Sequence, residues 1–333
     1  MGERRKLVKL LFLSLSLLVA FISIINFYTS TVNVRSFNFS EVKEAFVIKQ
    51  LKPRFYSLKS SSLIKIDQCQ QLTQNKELCN ISITVKTTNS NHQKKVIPII
   101  QTWFSQLASQ VYFITDREDR TISRLTHNHL IDTKCGSNHY RESLSCKLEE
   151  ELRHFGRNPS NWYCHFDDDN YLNVNRLFDV LKNYDFRNDW YIGKKSINHK
   201  LSAIYKNKVH YFSFATGGAG FCLSKSLFNK ISTYIEDFVN ISNSIGLPDD
   251  CSLGFIIESL IGVNLTEIHD FHSHLEYLGS FNSNNLKNQV SLSYKFETNN
   301  FVNISAFKNS DEDPTKFKAI HCNLYSKQSI CLN

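Results

Sequence analysis

Residues 162–171, Trp-Tyr-Cys-His-Phe-Asp-Asp-Asp-Asn-Tyr, constrain the fold more than any other stretch. Tyr163, Cys164, His165 and Phe166 make an apolar, aromatic-rich run suited to a short buried strand. Three carboxylates, Asp167, Asp168 and Asp169, follow at once. Adjacent like charges repel, so folding alone gives no reason to place them there, whereas a shared cation does. In an open α/β sheet, ligands sit beyond the carboxyl ends of the strands. A carboxylate cluster at such an end suits a hard divalent ion bridging a diphosphate. Two readings compete. One is a loop whose Asp caps a helix over residues 174–184. The other is a calcium loop, but Leu172 stands where the EF-hand pattern needs glycine.

The flanking chain supplies a sheet for this strand. Residues 81–85 alternate and are β-branched, which predicts a strand ended by Lys86-Thr87-Thr88. Residues 92–104 read as a helix with Pro98 inside it. A second strand spans 111–114 and ends at Thr115-Asp116, a helix covers 144–155, and a short strand covers 191–193. Strands alternating with helices predict a largely parallel sheet wrapped by helices. Phe214-Ala-Thr-Gly-Gly-Ala-Gly220 reads as the turn from a strand to a helix over 224–231. Its glycines let backbone approach a ligand closely. A dinucleotide fingerprint fails, because Leu223 stands where a small residue is needed. Leu247-Pro-Asp-Asp-Cys251 precedes the apolar run 253–261, so its acids either cap a helix or carry chemistry. Phe271-His-Ser-His274 puts two histidines on one face of an expected strand, as ligands or as surface residues.

Composition bears on where this body resides. Residues 10–27 are apolar apart from three serines and Asn26, and carry no charge. That length fits a membrane span. Arg4, Arg5, Lys6 and Lys9 precede it, which keeps the N-terminus cytosolic and sends the rest across. A cleaved signal peptide is the competing reading, but the run is long for one and lacks a small-x-small cleavage site. The expected organisation is a cytosolic tail (1–9), a signal-anchor (10–28), a lumenal stem (29–75) and a catalytic body (76–333). Nine cysteines and five N-glycosylation sequons, at Asn38, Asn80, Asn240, Asn264 and Asn303, agree with an oxidising lumen. The net charge of +8 falls partly on the tail, and no aromatic-interleaved basic stripe appears, so nucleic acid is not an expected partner.

Taken together, these stretches resemble the Fringe glycosyltransferases, β1,3-N-acetylglucosaminyltransferases acting on O-linked fucose. The pieces stand in family order from about residue 85 to 331: Val85-Lys-Thr-Thr88, Thr115-Asp116, Leu144-Ser-Cys-Lys147, His165–Tyr171, Phe214–Cys222, Leu247–Cys251, Phe271–Glu276, Asp313-Pro314 and Ile320-His-Cys322. The resemblance implies a GT-A glycosyltransferase fold, a UDP-sugar donor (UDP-GlcNAc), Mn²⁺ and inversion at the anomeric carbon. It implies Asp169 and His274 as metal ligands, Asp168 as a nucleotide contact and Asp250 as the catalytic base, with Asp249 free to cap. Lys95 stands where the family has a donor-contacting arginine, keeping the charge but losing bidentate geometry. Asp116, Arg141, Gly217 and Gly218 match positions near the donor. The family pattern pairs Cys135 with Cys146, Cys164 with Cys222 and Cys322 with Cys331. Cys69 and Cys79 have no partner in the family pattern, a bond between them being one reading, and Cys251 reads as a small packing residue rather than a nucleophile. The implied acceptors are O-fucosylated EGF-like repeats of the Notch type, and the implied location is the Golgi membrane. A related transferase, such as a core 1 galactosyltransferase, or an inactive anchored lectin or chaperone, are the alternatives.

Overall fold

The β-branched run near residue 81 becomes β1 (Ile81–Lys86) in the computed structural model, which describes residue 76 and residues 78–331. The expected tail, anchor and stem lie outside the described residues, as does Cys69. Among the described residues no helix is long and apolar enough to cross a membrane. Further strands are β2 (Val111–Thr115), β3 (Leu130–Asp132), β4 (Trp162–Asp167), β5 (Tyr171–Leu172), β6 (Tyr191–Gly193), β7 (Leu201–Tyr205), β8 (Lys208–Phe212), β9 (Phe221–Ser224), β10 (Leu265–Glu267) and β11 (Ser291–Leu292). The α-helices are α1 (Ile97–Gln101), α2 (Arg120–Leu125), α3 (Arg141–Arg157), α4 (Val174–Leu181), α5 (Lys225–Ile231), α6 (Phe238–Ile245), α7 (Asp249–Gly254) and α8 (Phe317–Leu324).

Seven strands form one sheet in the order β10-β6-β9-β4-β1-β2-β3. All neighbours pair in parallel except β9, which runs antiparallel to both β4 and β6. This mixed topology places the site. Parallel strands all end at one edge of the sheet, and an antiparallel strand begins there. The glycine-rich stretch therefore reaches the same edge as the acids that close β4. The expected direct turn from the glycines to a helix is corrected accordingly, because β9 intervenes before α5. Gly220 allows the entry: its φ is +86°, and a Cβ there would lie 2.3 Å from the Phe166 ring. Only glycine meets both conditions.

Two other expectations are revised. Residues 92–104 do not form one helix. A π-helical turn (His92–Val96) leads into α1, and a 3₁₀ turn (Trp103–Gln106) follows. Pro98 falls in the first turn of α1, where its missing N–H leaves no bond unmade. Residues 271–274 form no strand but an irregular loop, so their histidines share no sheet face. Strand pairing elsewhere is taken up by the β7–β8 hairpin and the β5–β11 pair.

Helices cover the sheet with apolar side chains. Phe155 of α3, Tyr163 of β4 and Phe228 of α5 pack in tilted and edge-on pairs with ring centroids 4.3–6.1 Å apart. The disulfides Cys135–Cys146, Cys164–Cys222 and Cys322–Cys331 are present. Cys79 is also disulfide-bonded, and Cys251 is free and buried. Cys164 and Cys222 are register partners across β4 and β9, so their bond locks the acidic strand to the glycine-led one. It spans 58 residues, and closing such a loop stabilises by about 4 kcal/mol in the chain-entropy model. Replacing both cysteines with alanine should lower denaturant stability by about that amount. A loss below about 1 kcal/mol would show that the bond constrains nothing the sheet does not already hold.

Candidate active site

The carboxyl ends of β1 and β4, the start of α7 and the loops before α3, before β9 and after β10 enclose a cleft of about 710 Å³. Every residue singled out for the donor, the metal or the base lines it except Asp116. Asp116 lies beneath, its side chain 3% exposed. It accepts the Asn89 backbone N–H at 3.0 Å and sits 3.4 Å from the Lys147 ammonium. Its place is thus as a support for Lys147, which lines the cleft from α3 and also donates to the Thr87 carbonyl at 2.9 Å.

Of the three aspartates at the end of β4, Asp168 and Asp169 are buried and Asp167 is half-buried. Each faces a separate partner set. Asp167 lies 3.4 Å from Lys86 and 3.5 Å from the His165 ring. Burial would raise its pKa, but the charges of Lys86 and His165 outweigh this and hold it well below the usual range. Asp168 accepts from Thr87 and Asn91, both at 2.8 Å, and from Lys95 at 2.9 Å. Its oxygens are committed to protein donors, and burial raises its pKa despite Lys95. Asp169 differs. One oxygen faces His274 Nδ1 at 3.2 Å, and the other is buried with no hydrogen-bond donor from the protein. The bond to Asp169 outweighs burial and raises the His274 pKa.

An orphaned carboxylate oxygen beside an imidazole nitrogen is a donor set that fits a divalent cation. No group of three or more His, Cys, Asp or Glu side chains arranged for a metal occurs among the described residues. A metal here would take its remaining ligands from water or from a bound diphosphate. His272, the other histidine of the loop, is turned away. It is 5% exposed and contacts Gln289 at 2.7 Å and Glu276 at 3.1 Å.

Gly217 and Gly218 join the two halves of the cleft. A Cβ on Gly217 would lie 3.4 Å from Asp250 Cβ, and one on Gly218 would lie 3.9 Å from both Asp167 Oδ2 and His274 Cε1. The base candidate and the metal candidate are therefore one residue apart along this turn. Asn170, fully buried, fixes the arrangement. It accepts the Asp167 N–H at 3.1 Å and donates to the Gly218 carbonyl at 2.9 Å.

The expected division of labour at Asp249-Asp250 is corrected in its details. Asp249 caps nothing; it pairs with Lys86 at 2.8 Å. Asp250 accepts the Gly217 N–H at 3.0 Å and the Cys251 N–H at 2.8 Å, so it is anchored rather than unbonded. Burial, followed by the adjacent Asp249 charge, still pushes its pKa up to about 6. A carboxylate with that pKa is ionised at neutral pH and basic enough to take a proton.

The chain that makes these contacts is similar in sequence to known proteins. A family model described as Fringe-like matches residues 76–328. The chain belongs to the Fringe family. The Fringe glycosyltransferase of Drosophila melanogaster is 38% identical over 319 residues, covering 90% of this chain and 76% of its own length. The β-1,3-N-acetylglucosaminyltransferase lunatic fringe of Danio rerio is 40% identical over 261 residues, covering 76% and 70%. The radical fringe enzyme of Gallus gallus is 38% identical over 268 residues, covering 77% and 72%.

Lys86, Lys147 and Asn170 stand in the quoted motifs of this Fringe chain without an assigned role, and Asn91 and Glu151 stand outside those motifs. Lys86 ends a strand, and strand ends in a parallel sheet converge, a signal that sequence alone gives without saying what they converge on. Glu151 looked like one acid on a helix, yet it is fully buried and accepts from Thr84 and His165, both at 2.7 Å. Burial lowers the His165 pKa, but Glu151 outweighs it, and the net effect is a rise to about 9.

Proposed function

We propose that this chain is an inverting glycosyltransferase of GT-A fold that moves GlcNAc from UDP-GlcNAc in β1,3 linkage onto O-linked fucose of EGF-like repeats. The observation that carries the reading is the glycine pair that sets Asp250 beside the Asp169–His274 pair in one cleft. Membership of the Fringe family, and relatives named β-1,3-N-acetylglucosaminyltransferases, support the reaction class.

In this account the Asp250 carboxylate accepts the proton of the fucose hydroxyl as its oxygen attacks the anomeric carbon. The new C–O bond forms as the bond to UDP breaks, and its electron pair leaves with UDP. Attack opposite the leaving group with a single base inverts the centre. Asp169 and His274 would hold a divalent cation such as Mn²⁺, which when bound supplies Lewis-acid neutralisation of the diphosphate. Gly218 lets the donor approach the backbone, and Lys95 and Arg141 add positive charge along the cleft wall. The chain works as a Golgi type II membrane enzyme anchored by residues 10–28.

The pH profile follows from Asp250. Its active form is the carboxylate, so kcat/KM should fall about tenfold per pH unit below about pH 6 and level off above it. A profile flat down to about pH 4.5 would remove Asp250 as the titrating base. The lumenal location predicts glycosidase-sensitive mass, since Asn80, Asn240, Asn264 and Asn303 are all exposed. An unglycosylated, cytosolic product would contradict it. The function itself is tested with a panel of UDP-sugars on O-fucosylated and unmodified EGF repeats. Transfer of GlcNAc to the fucosylated repeat alone is expected, and preference for another sugar or for the bare repeat would overturn the assignment.

A further inference from the structure

We propose that Lys86 is a positioning residue that sets the catalytic geometry by holding the acidic turn and the base-bearing helix on one ammonium. The proposal rests on the reading of Asp250 as the base. Lys86 is the last residue of β1, in register with Asp167 of β4 and Ile114 of β2. Its backbone carbonyl accepts the Asp168 N–H at 3.1 Å. Its ammonium lies 3.4 Å from Asp167 and 2.8 Å from Asp249. The Lys86 and Asp249 side chains are 11% and 6% exposed, so this pair is shielded from water and salt.

The consequence falls on the next residue. Asp249 and Asp250 are consecutive at the start of α7, so fixing one fixes the backbone that carries the other. Asp250 in turn takes the Gly217 N–H, so the chain of contacts runs from Lys86 through α7 to the glycine turn. Without the lysine, two shielded carboxylates face each other with no cation between them, and α7 has no charged tie to the acidic turn. Displacement of a reacting group by about 1 Å can cost about 10²-fold in rate. The groups that act on Asp250 are Asp249, Lys86, the Cys251 thiol and N–H, the Gly217 N–H and the Tyr191 hydroxyl from β6, with the His165 ring behind Gly217. Of these, Lys86 is the cation that favours the ionised base.

The test is a double-mutant cycle on the full chain with Lys86→Met, Asp249→Asn and the pair together. It reads kcat, UDP affinity and the pH of half-maximal kcat/KM. Lys86→Met should lower kcat by about 10- to 100-fold, leave UDP affinity within about threefold and move the acid limb to higher pH. Asp249→Asn should move that limb to lower pH. The double variant should be no slower than Lys86→Met, a non-additivity in kcat expected only if the residues act as a pair, and its acid limb should lie between those of the single variants. Should Lys86→Met fail to fold, the double variant, which leaves only Asp167 without its lysine and still beside His165, and Asp249→Asn still decide the matter through the direction of the pH limb. Additive losses, or UDP affinity falling in step with kcat, would make Lys86 a direct phosphate contact and overturn the proposal. An unmoved acid limb in every variant would reduce the pair to a structural role. Loss of the limb in wild type would instead overturn the assignment of Asp250.

Discussion

Asp250→Asn is expected to lower turnover by about 10²–10⁴-fold while UDP affinity changes little. The amide matches the carboxylate in shape but cannot take a proton. Its position is held by the Gly217 and Cys251 N–H groups, both of which point at oxygen atoms. An amide can still accept one of these bonds through its oxygen, so the helix start should persist. The neighbouring acid behaves differently. Asp249 is engaged by the Lys86 ammonium at 2.8 Å, so Asp249→Asn should retain more turnover. Steady-state kinetics beside UDP binding by calorimetry separates these outcomes. If Asp250→Asn keeps most of its turnover, or loses UDP in parallel with activity, the base lies elsewhere in the cleft.

Asp169→Ala is expected to bring transfer to background, a loss of about 10³-fold or more. Lewis-acid neutralisation of a leaving diphosphate is worth several kcal/mol, and each 1.4 kcal/mol is about tenfold. The cause is the Asp169 oxygen that no protein donor satisfies, beside His274. A buried orphan oxygen costs stability, so removing the carboxylate should not lower the melting temperature. Mn²⁺ binding in the presence of UDP, followed by paramagnetic relaxation, should weaken in this variant independently of any activity. Retained Mn²⁺ binding, or wild-type transfer undiminished by a chelator, would count against the metal assignment.

How much of this was legible in the chain depends on the kind of signal. β1, β2 and β4 were readable because apolar runs, β-branched in β1 and aromatic-rich in β4, end abruptly in polar residues. Their parallel pairing followed from the intervening helices. β9 was not readable, because its four residues merge with the glycine turn before them and the helix after them. Its antiparallel direction is what carries Gly217 and Gly218 to the acids, so the site's assembly was hidden with it. The histidine loop misled for a related reason. Alternation predicts a shared face only if the segment is a strand, and here Glu276 and Gln289 hold His272 inward while His274 faces Asp169. The acids were recognised as a cluster, but their separate partners come from β1 and from the turn at residues 91–95, some 70–80 positions away. Spacing along the chain carries no trace of such contacts.

The most direct test of the whole account is the stereochemistry and linkage of the product. Recombinant lumenal protein, UDP-GlcNAc, Mn²⁺ and an O-fucosylated EGF repeat would be incubated, and the released disaccharide examined by NMR. A single base at Asp250, with attack opposite the departing UDP, predicts GlcNAc joined to fucose in β1,3 linkage. An α-linked product, or a sugar attached at another fucose hydroxyl, would contradict it.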